Sequence, residues 1–115
     1  MDGRISLGNL LVDLDGHLVW VGGQRVELTH LEFRALVLLA TRASFVVPSR
    51  QLAEALWGPA ADERAPHLRG LISRLRRKLH GMHPWQIRTV TKRGYGLFPC
   101  QDEGRDPAAP PQATA

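Results

Sequence analysis

Leu68-Arg69-Gly70-Leu71-Ile72-Ser73-Arg74-Leu75-Arg76-Arg77-Lys78-Leu79-His80, followed shortly by Gln86-Ile87-Arg88-Thr89-Val90-Thr91-Lys92-Arg93-Gly94-Tyr95-Gly96-Leu97-Phe98, is the stretch on which the reading of the fold turns. In its first part Leu68, Leu71, Ile72, Leu75 and Leu79 recur at i, i+3, i+4, i+7 and i+11, the apolar stripe of an amphipathic helix. The opposite side carries Arg69, Gly70, Ser73, Arg74, Arg76, Arg77 and Lys78. The second part reads as two strands, Gln86 to Thr91 and Tyr95 to Phe98, around Thr91-Lys92-Arg93-Gly94. A helix with one cationic face and a hairpin with a cationic tip are more specific together than either alone.

Charge isolates the same region. Arg64 to Gln101 holds nine Lys/Arg and no Asp or Glu, whereas Met1 to Glu63 holds five basic and eight acidic residues. The last fourteen residues hold one basic and three acidic, so the net +4 is −3 + 9 − 2. A solvated helix face usually intersperses acids with its bases. Here the bases stand alone, and such a block attracts a polyanion, of which a nucleic-acid backbone is the commonest.

Outward from the basic block, the chain predicts a small α+β domain. Short apolar runs over Ile5-Leu7, Leu10-Leu14, His17-Val21 and Gln24-Leu28 are separated by Gly8-Asn9, Asp15-Gly16 and Gly22-Gly23, the signature of an antiparallel meander. Thr29-His30-Leu31-Glu32 is a capping box that opens a largely apolar helix to about Arg42, with Leu28 and Phe33 placed as a hydrophobic staple. Phe45-Val46-Val47 reads as a short strand stopped by Pro48. Ser49 is expected to cap a second helix from Arg50 to about Trp57, ending at Gly58-Pro59. Gly58 to Ala65 reads as a loop. The third helix is expected to start near Pro66 and run to His80, with Gly81 as its left-handed cap.

Other function classes have little support. At 43% hydrophobic residues, 115 residues suit one domain with a real core, and the single Cys100 rules out an internal disulfide and reads as a packing residue. No apolar run is long enough for a membrane span and the start carries no secretory pattern, so a cytoplasmic location without membrane contact is expected. His67, His80 and His83 lack the neighbouring acids of a metal site, and no metal or cofactor is expected. No nucleophile, carboxylate pair or phosphate loop points to an enzyme. Trp20, Trp57 and Trp85 are scattered as packing residues rather than gathered as a stacking platform, which also argues against structured RNA. The Pro/Ala-rich tail, residues 100–115, reads as disordered.

The run Leu28-Thr29-His30-Leu31-Glu32-Phe33, then Leu56-Trp57-Gly58, Ile72 to Leu79, and Ile87-Arg88-Thr89-Val90 with Gly94-Tyr95 resembles the OmpR/PhoB-type winged-helix domain, the effector half of many bacterial response regulators. The resemblance covers about residues 4–99. It implies a winged helix-turn-helix: a four-stranded N-terminal antiparallel sheet, three helices and a C-terminal β-hairpin wing. It also implies a transcriptional regulator that puts its third helix in the major groove of DNA and its wing in the adjacent minor groove. In some members the loop that corresponds to Gly58–Ala65 contacts RNA polymerase.

Matched position by position, the resemblance implies base reading by Arg74, a phosphate contact by Arg76, an indole N–H from Trp57 to a phosphate, and DNA contact by Thr89. The full expected DNA-binding set adds Arg50, Arg77, Lys78 and Lys92 on phosphates and Arg69 and Ser73 on bases. Thr91 completes the wing tip, with Arg93 as the minor-groove probe. The chain also departs from the pattern. A frequent Val-Asp-Val-His reads Leu68-Arg69-Gly70-Leu71, a frequent Arg-Gly of the wing reads Thr91-Lys92, and a frequent Arg reads Ser49. The preferred base sequence therefore does not carry over.

Related regulators usually place a phosphorylatable receiver before this module. The chain is accordingly expected to be either a stand-alone regulator or the DNA-reading fragment of a longer regulator, enzyme or sensor. One module makes a modest interface, so two copies on DNA are expected for tight binding. The rival reading is an adaptor that docks on RNA polymerase or another protein, its basic face incidental.

Overall fold

The computed structural model describes residues 3–99; the expectations for Cys100 and for the tail lie outside them. β1 (Arg4–Leu7), β2 (Leu10–Asp13), β3 (Leu18–Val21) and β4 (Gln24–Val26) form an antiparallel sheet in chain order. The register pairs Leu10 with Val21 and Val12 with Val19, so alternation puts these four side chains on the buried face. His17, in the turn between β2 and β3, stacks on Phe33 at 4.7 Å between ring centroids and docks that turn on the first helix.

α1 (His30–Thr41) begins where the capping box demands. Glu32 N–H donates to Thr29 Oγ1 at 3.2 Å, and Thr29 N–H donates to Glu32 Oε1 at 2.9 Å. Ala35, Leu36 and Leu39 on α1 are fully buried, and the remaining elements pack around them. β5 (Val46–Pro48) leads directly into α2 (Ser49–Trp57), and α3 (Ala61–Lys78) follows. The chain closes with β6 (Trp85–Val90) and β7 (Gly94–Pro99), which with β5 make a second sheet in the order β5-β7-β6.

Two local expectations are corrected. Gly58–Ala65 is not a loop: Gly58–Ala60 is a single 3₁₀ turn, and α3 starts at Ala61, before Pro66. Ala61 is buried against the core, while Asp62 and Glu63 complement the positive end of the helix dipole, so the helix gains by starting early. Pro66 then lies inside the helix, where it cannot donate to the Asp62 carbonyl. Ser49 does not cap α2 but is its first residue, after Pro48. Its amide donates to the Arg93 carbonyl at 3.1 Å, so the wing, not a side chain, satisfies the first amide of α2.

The segment just after α3 is held by the N-terminal sheet. Asn9, in the β1–β2 turn, donates from Nδ2 to the Gly81 carbonyl at 3.0 Å and accepts the His83 amide on Oδ1 at 2.7 Å. Gly81 has the expected left-handed φ, +98, but α3 ends at Lys78 with Leu79 as its C-cap, so Gly81 lies two residues past the cap and not directly after a helix running to His80.

Candidate nucleic-acid interface

α3 buries Leu68, Leu71, Ile72 and Leu75 and exposes Arg69, Ser73, Arg74, Arg76 and Arg77. The 3.6-residue period separates the exposed side chains into a ridge and two flanks. Pro66, Gly70, Ser73 and Arg77 form the ridge farthest from the core. Arg69 and Arg76 lie on the flank toward the wing, and Arg74 and Lys78 on the flank toward α1.

On the α1 flank a single carboxylate organises two cations. Glu32 is 1% exposed, and its Oε1 accepts Lys78 Nζ at 2.8 Å while Oε2 lies 3.7 Å from Arg74 Nε. Burial by itself raises the Glu32 pKa. The hydrogen bond and charge of Lys78, together with the bonds to Thr29, outweigh it and hold the carboxyl below its ordinary value. The Lys78 ammonium, expected on a phosphate, is thus engaged within the fold. Arg74, with its side chain 57% exposed, extends past the carboxylate toward solvent.

On the other flank the helix meets the wing. Arg76 Nη2 donates to Thr89 Oγ1 at 3.0 Å, so two residues expected on DNA bond to each other and tie α3 to β6. Arg50, Arg69, Thr89, Thr91, Lys92 and Arg93 border one open cleft of about 500 Å³ between the starts of α2 and β7. A shallower hollow of about 490 Å³ lies along α3 between Ser73, Arg76, Arg77 and His80. The helix and the hairpin tip therefore open on the same side. Their guanidinium forks have the geometry to bind phosphate oxygens and the acceptors of a guanine edge.

Close packing sets the position of the wing. A Cβ on Gly94 would collide with the Val47 carbonyl oxygen and lie 2.9 Å from Pro48 Cα and Ser49 N. Only glycine lets β7 lie this close to the junction of β5 and α2. At the tip, Lys92 has φ +65, a left-handed conformation that costs a non-glycine residue about 1 kcal/mol.

Arg50 spends its guanidinium on Glu54 and Asp62, both at 3.1 Å. These pairs are exposed, and such pairs contribute only about 0–1 kcal/mol, so a phosphate can exchange for them. Trp57 is half-buried against the core at the end of α2. Sequence reasoning gave Glu32 only its capping role and missed its hold on Lys78 and Arg74. A lone acid facing a basic helix was the available signal, but pairing across 46 positions is invisible to local patterns. Among the described residues no group of three or more His, Cys, Asp or Glu is arranged to hold a metal, and no helix is long and apolar enough to cross a membrane.

Residues 23–97 match the family described as "Transcriptional regulatory protein, C terminal". The chain belongs to this family. It is 34% identical over 95 residues to the KDP operon transcriptional regulatory protein KdpE of Escherichia coli, covering 83% of this chain and 42% of that protein. The RstA DNA-binding domain of Klebsiella pneumoniae, solved in complex with the RstA box, has 35% identity and a TM-score of 0.73, covering 84% of this chain and 97% of that one. The response regulator DrrB of Thermotoga maritima, an OmpR/PhoB homolog, has 28% identity and a TM-score of 0.67 over 84% of this chain and 44% of its own. This OmpR/PhoB-type effector domain spans less than half the length of the curated relatives it matches. The winged-helix architecture agrees with these neighbours: an N-terminal four-stranded sheet, three α-helices among the described residues, and the β6–β7 hairpin as the wing.

Proposed function

We propose that this chain is a DNA-binding transcriptional regulator that lays α3 in the major groove of duplex DNA and its wing in the adjacent minor groove. The observation that carries this reading is the common cationic side formed by the outer face of α3 and the wing tip, joined by the Arg76–Thr89 hydrogen bond. In this reading Arg69, Ser73 and Arg74 face base edges and Arg93 enters the minor groove, with Thr89 and Thr91 along the wing. Arg50, Arg76, Arg77 and Lys92 take phosphates, Trp57 adds its indole N–H, and Lys78 reaches a phosphate only by yielding its bond to Glu32.

The test is a salt titration of duplex binding combined with an alanine variant. With about five to seven phosphates neutralised, log K against log[salt] should fall with a slope near −5 to −6. Arg74→Ala should weaken a preferred site by ~1–3 kcal/mol and relax one base position. A flat salt response, or an unchanged site preference in the variant, contradicts the reading.

Residues 4–99 are proposed as the DNA-binding unit, working in the cytoplasm without membrane contact and with no chemistry of its own. Two copies on one site would enlarge a modest interface, and footprint length against bound stoichiometry measures this. Segment 58–65 exposes Asp62, Glu63 and Arg64 at the start of α3 and is proposed as a surface for RNA polymerase. Charge reversal at Glu63, which leaves the Arg50–Asp62 pair in place, should reduce transcription in a purified system while leaving DNA binding intact.

A further inference from the structure

Gly70 sits in the middle of the 18-residue α3, where glycine weakens a helix relative to alanine. Nothing in the fold requires it. Its φ is not positive, and the nearest atom to a Cβ built there is Arg74 Nη1 at 3.5 Å, an ordinary contact with the end of a flexible side chain. Alanine would therefore be accommodated and would strengthen the helix. The missing side chain leaves a gap on the outermost ridge of α3, between the Pro66 ring one turn before and Ser73 and Arg77 after it, with the end of the Arg74 guanidinium folded over it. With the helical backbone bonded to itself, the gap carries no free donor or acceptor of its own. Once the Arg74 guanidinium swings out to a base edge, as its proposed base-reading role requires, the gap selects by shape and apolar contact.

We infer that Gly70 is a specificity-determining position whose gap admits the 5-methyl group of a thymine. That methyl is the one apolar group that a base presents in the major groove. An uncovered backbone also lets the helix seat more deeply, bringing Arg69 and Arg74 to neighbouring base edges. The inference rests on the reading of α3 as the major-groove element.

A Cβ at position 70 and a thymine methyl would compete for one space, and this defines the experiment. Duplexes are selected by the full chain from a randomised pool, and each thymine of the preferred duplex is replaced singly by uracil, which lacks the methyl. One replacement should weaken the unsubstituted protein by about fourfold, the worth of one buried methyl-sized group. Gly70→Ala should bind the all-thymine duplex more weakly by a similar factor and recover on that one uracil duplex, while its melting temperature rises by a few degrees. Gly70→Ala binding the thymine duplex as tightly as the parent, or losing equally on every uracil duplex, would overturn the inference alone. Selection that retains no duplex would sink the DNA-binding reading and this inference with it.

Discussion

Glu32 shows how much one side chain can carry. The same carboxylate closes the capping box at the start of α1 and anchors two cations of α3. Because its folded pKa lies below the ordinary glutamate value, it stabilises the fold at neutral pH. That contribution is fully present above the unfolded pKa, roughly 4.3, and is lost as pH falls through the lower folded value. Glu32→Gln should cost about 1–2 kcal/mol at neutral pH, moderated because Lys78 is 38% exposed and can turn to water. The variant should also lose part of the acid-induced drop in stability, as chemical denaturation at several pH values would record. Lys92 makes a different trade. Lys92→Gly should relieve about 0.5–1 kcal/mol of left-handed strain and, by removing one cation, reduce the salt slope of DNA binding by about 0.9. Melting curves and salt titrations of the same sample would reveal whether those two effects separate.

At the scale of elements, the wing is not an independent hairpin. β7 pairs with β5, and the Arg93 carbonyl accepts the first amide of α2, so the wing is built onto the start of the helix-turn-helix. Gly94→Ala should cost about 1–3 kcal/mol because the backbone of Val47 to Ser49 must move. Hydrogen exchange should locate the loosened amides in β5, β7 and the first turn of α2, with the N-terminal sheet protected as before. Most elements were legible in the sequence. The Thr29–Glu32 box and the Leu68-Leu71-Ile72-Leu75 stripe are local and periodic, and the structure confirms both. The start of α3 was not legible, because Pro66 is a strong local signal for a helix beginning. It was overruled by the burial of Ala61, a contact supplied by the rest of the fold.

Across the whole molecule, the N-terminal sheet and the C-terminal hairpin are joined at Asn9, which bonds both Gly81 and His83 between α3 and β6. Asn9→Ala should lower global stability by about 1–2 kcal/mol for two lost hydrogen bonds. It should still unfold in one transition by both far-ultraviolet dichroism and tryptophan fluorescence, since the core is continuous from Leu10 to Leu97. The sequence alone determined the architecture and the cationic character of α3 and the wing tip, because periodicity, capping and charge segregation act over a few neighbouring residues. Tertiary structure decided which cations stay available. Lys78 turned inward to Glu32, Arg76 bonded to Thr89, and Asp62 of α3 joined Arg50 of α2. The physical reason is that electrostatic pairing depends on distance in space, and only packing brings residues 12, 13 and 46 positions apart to within hydrogen-bond reach.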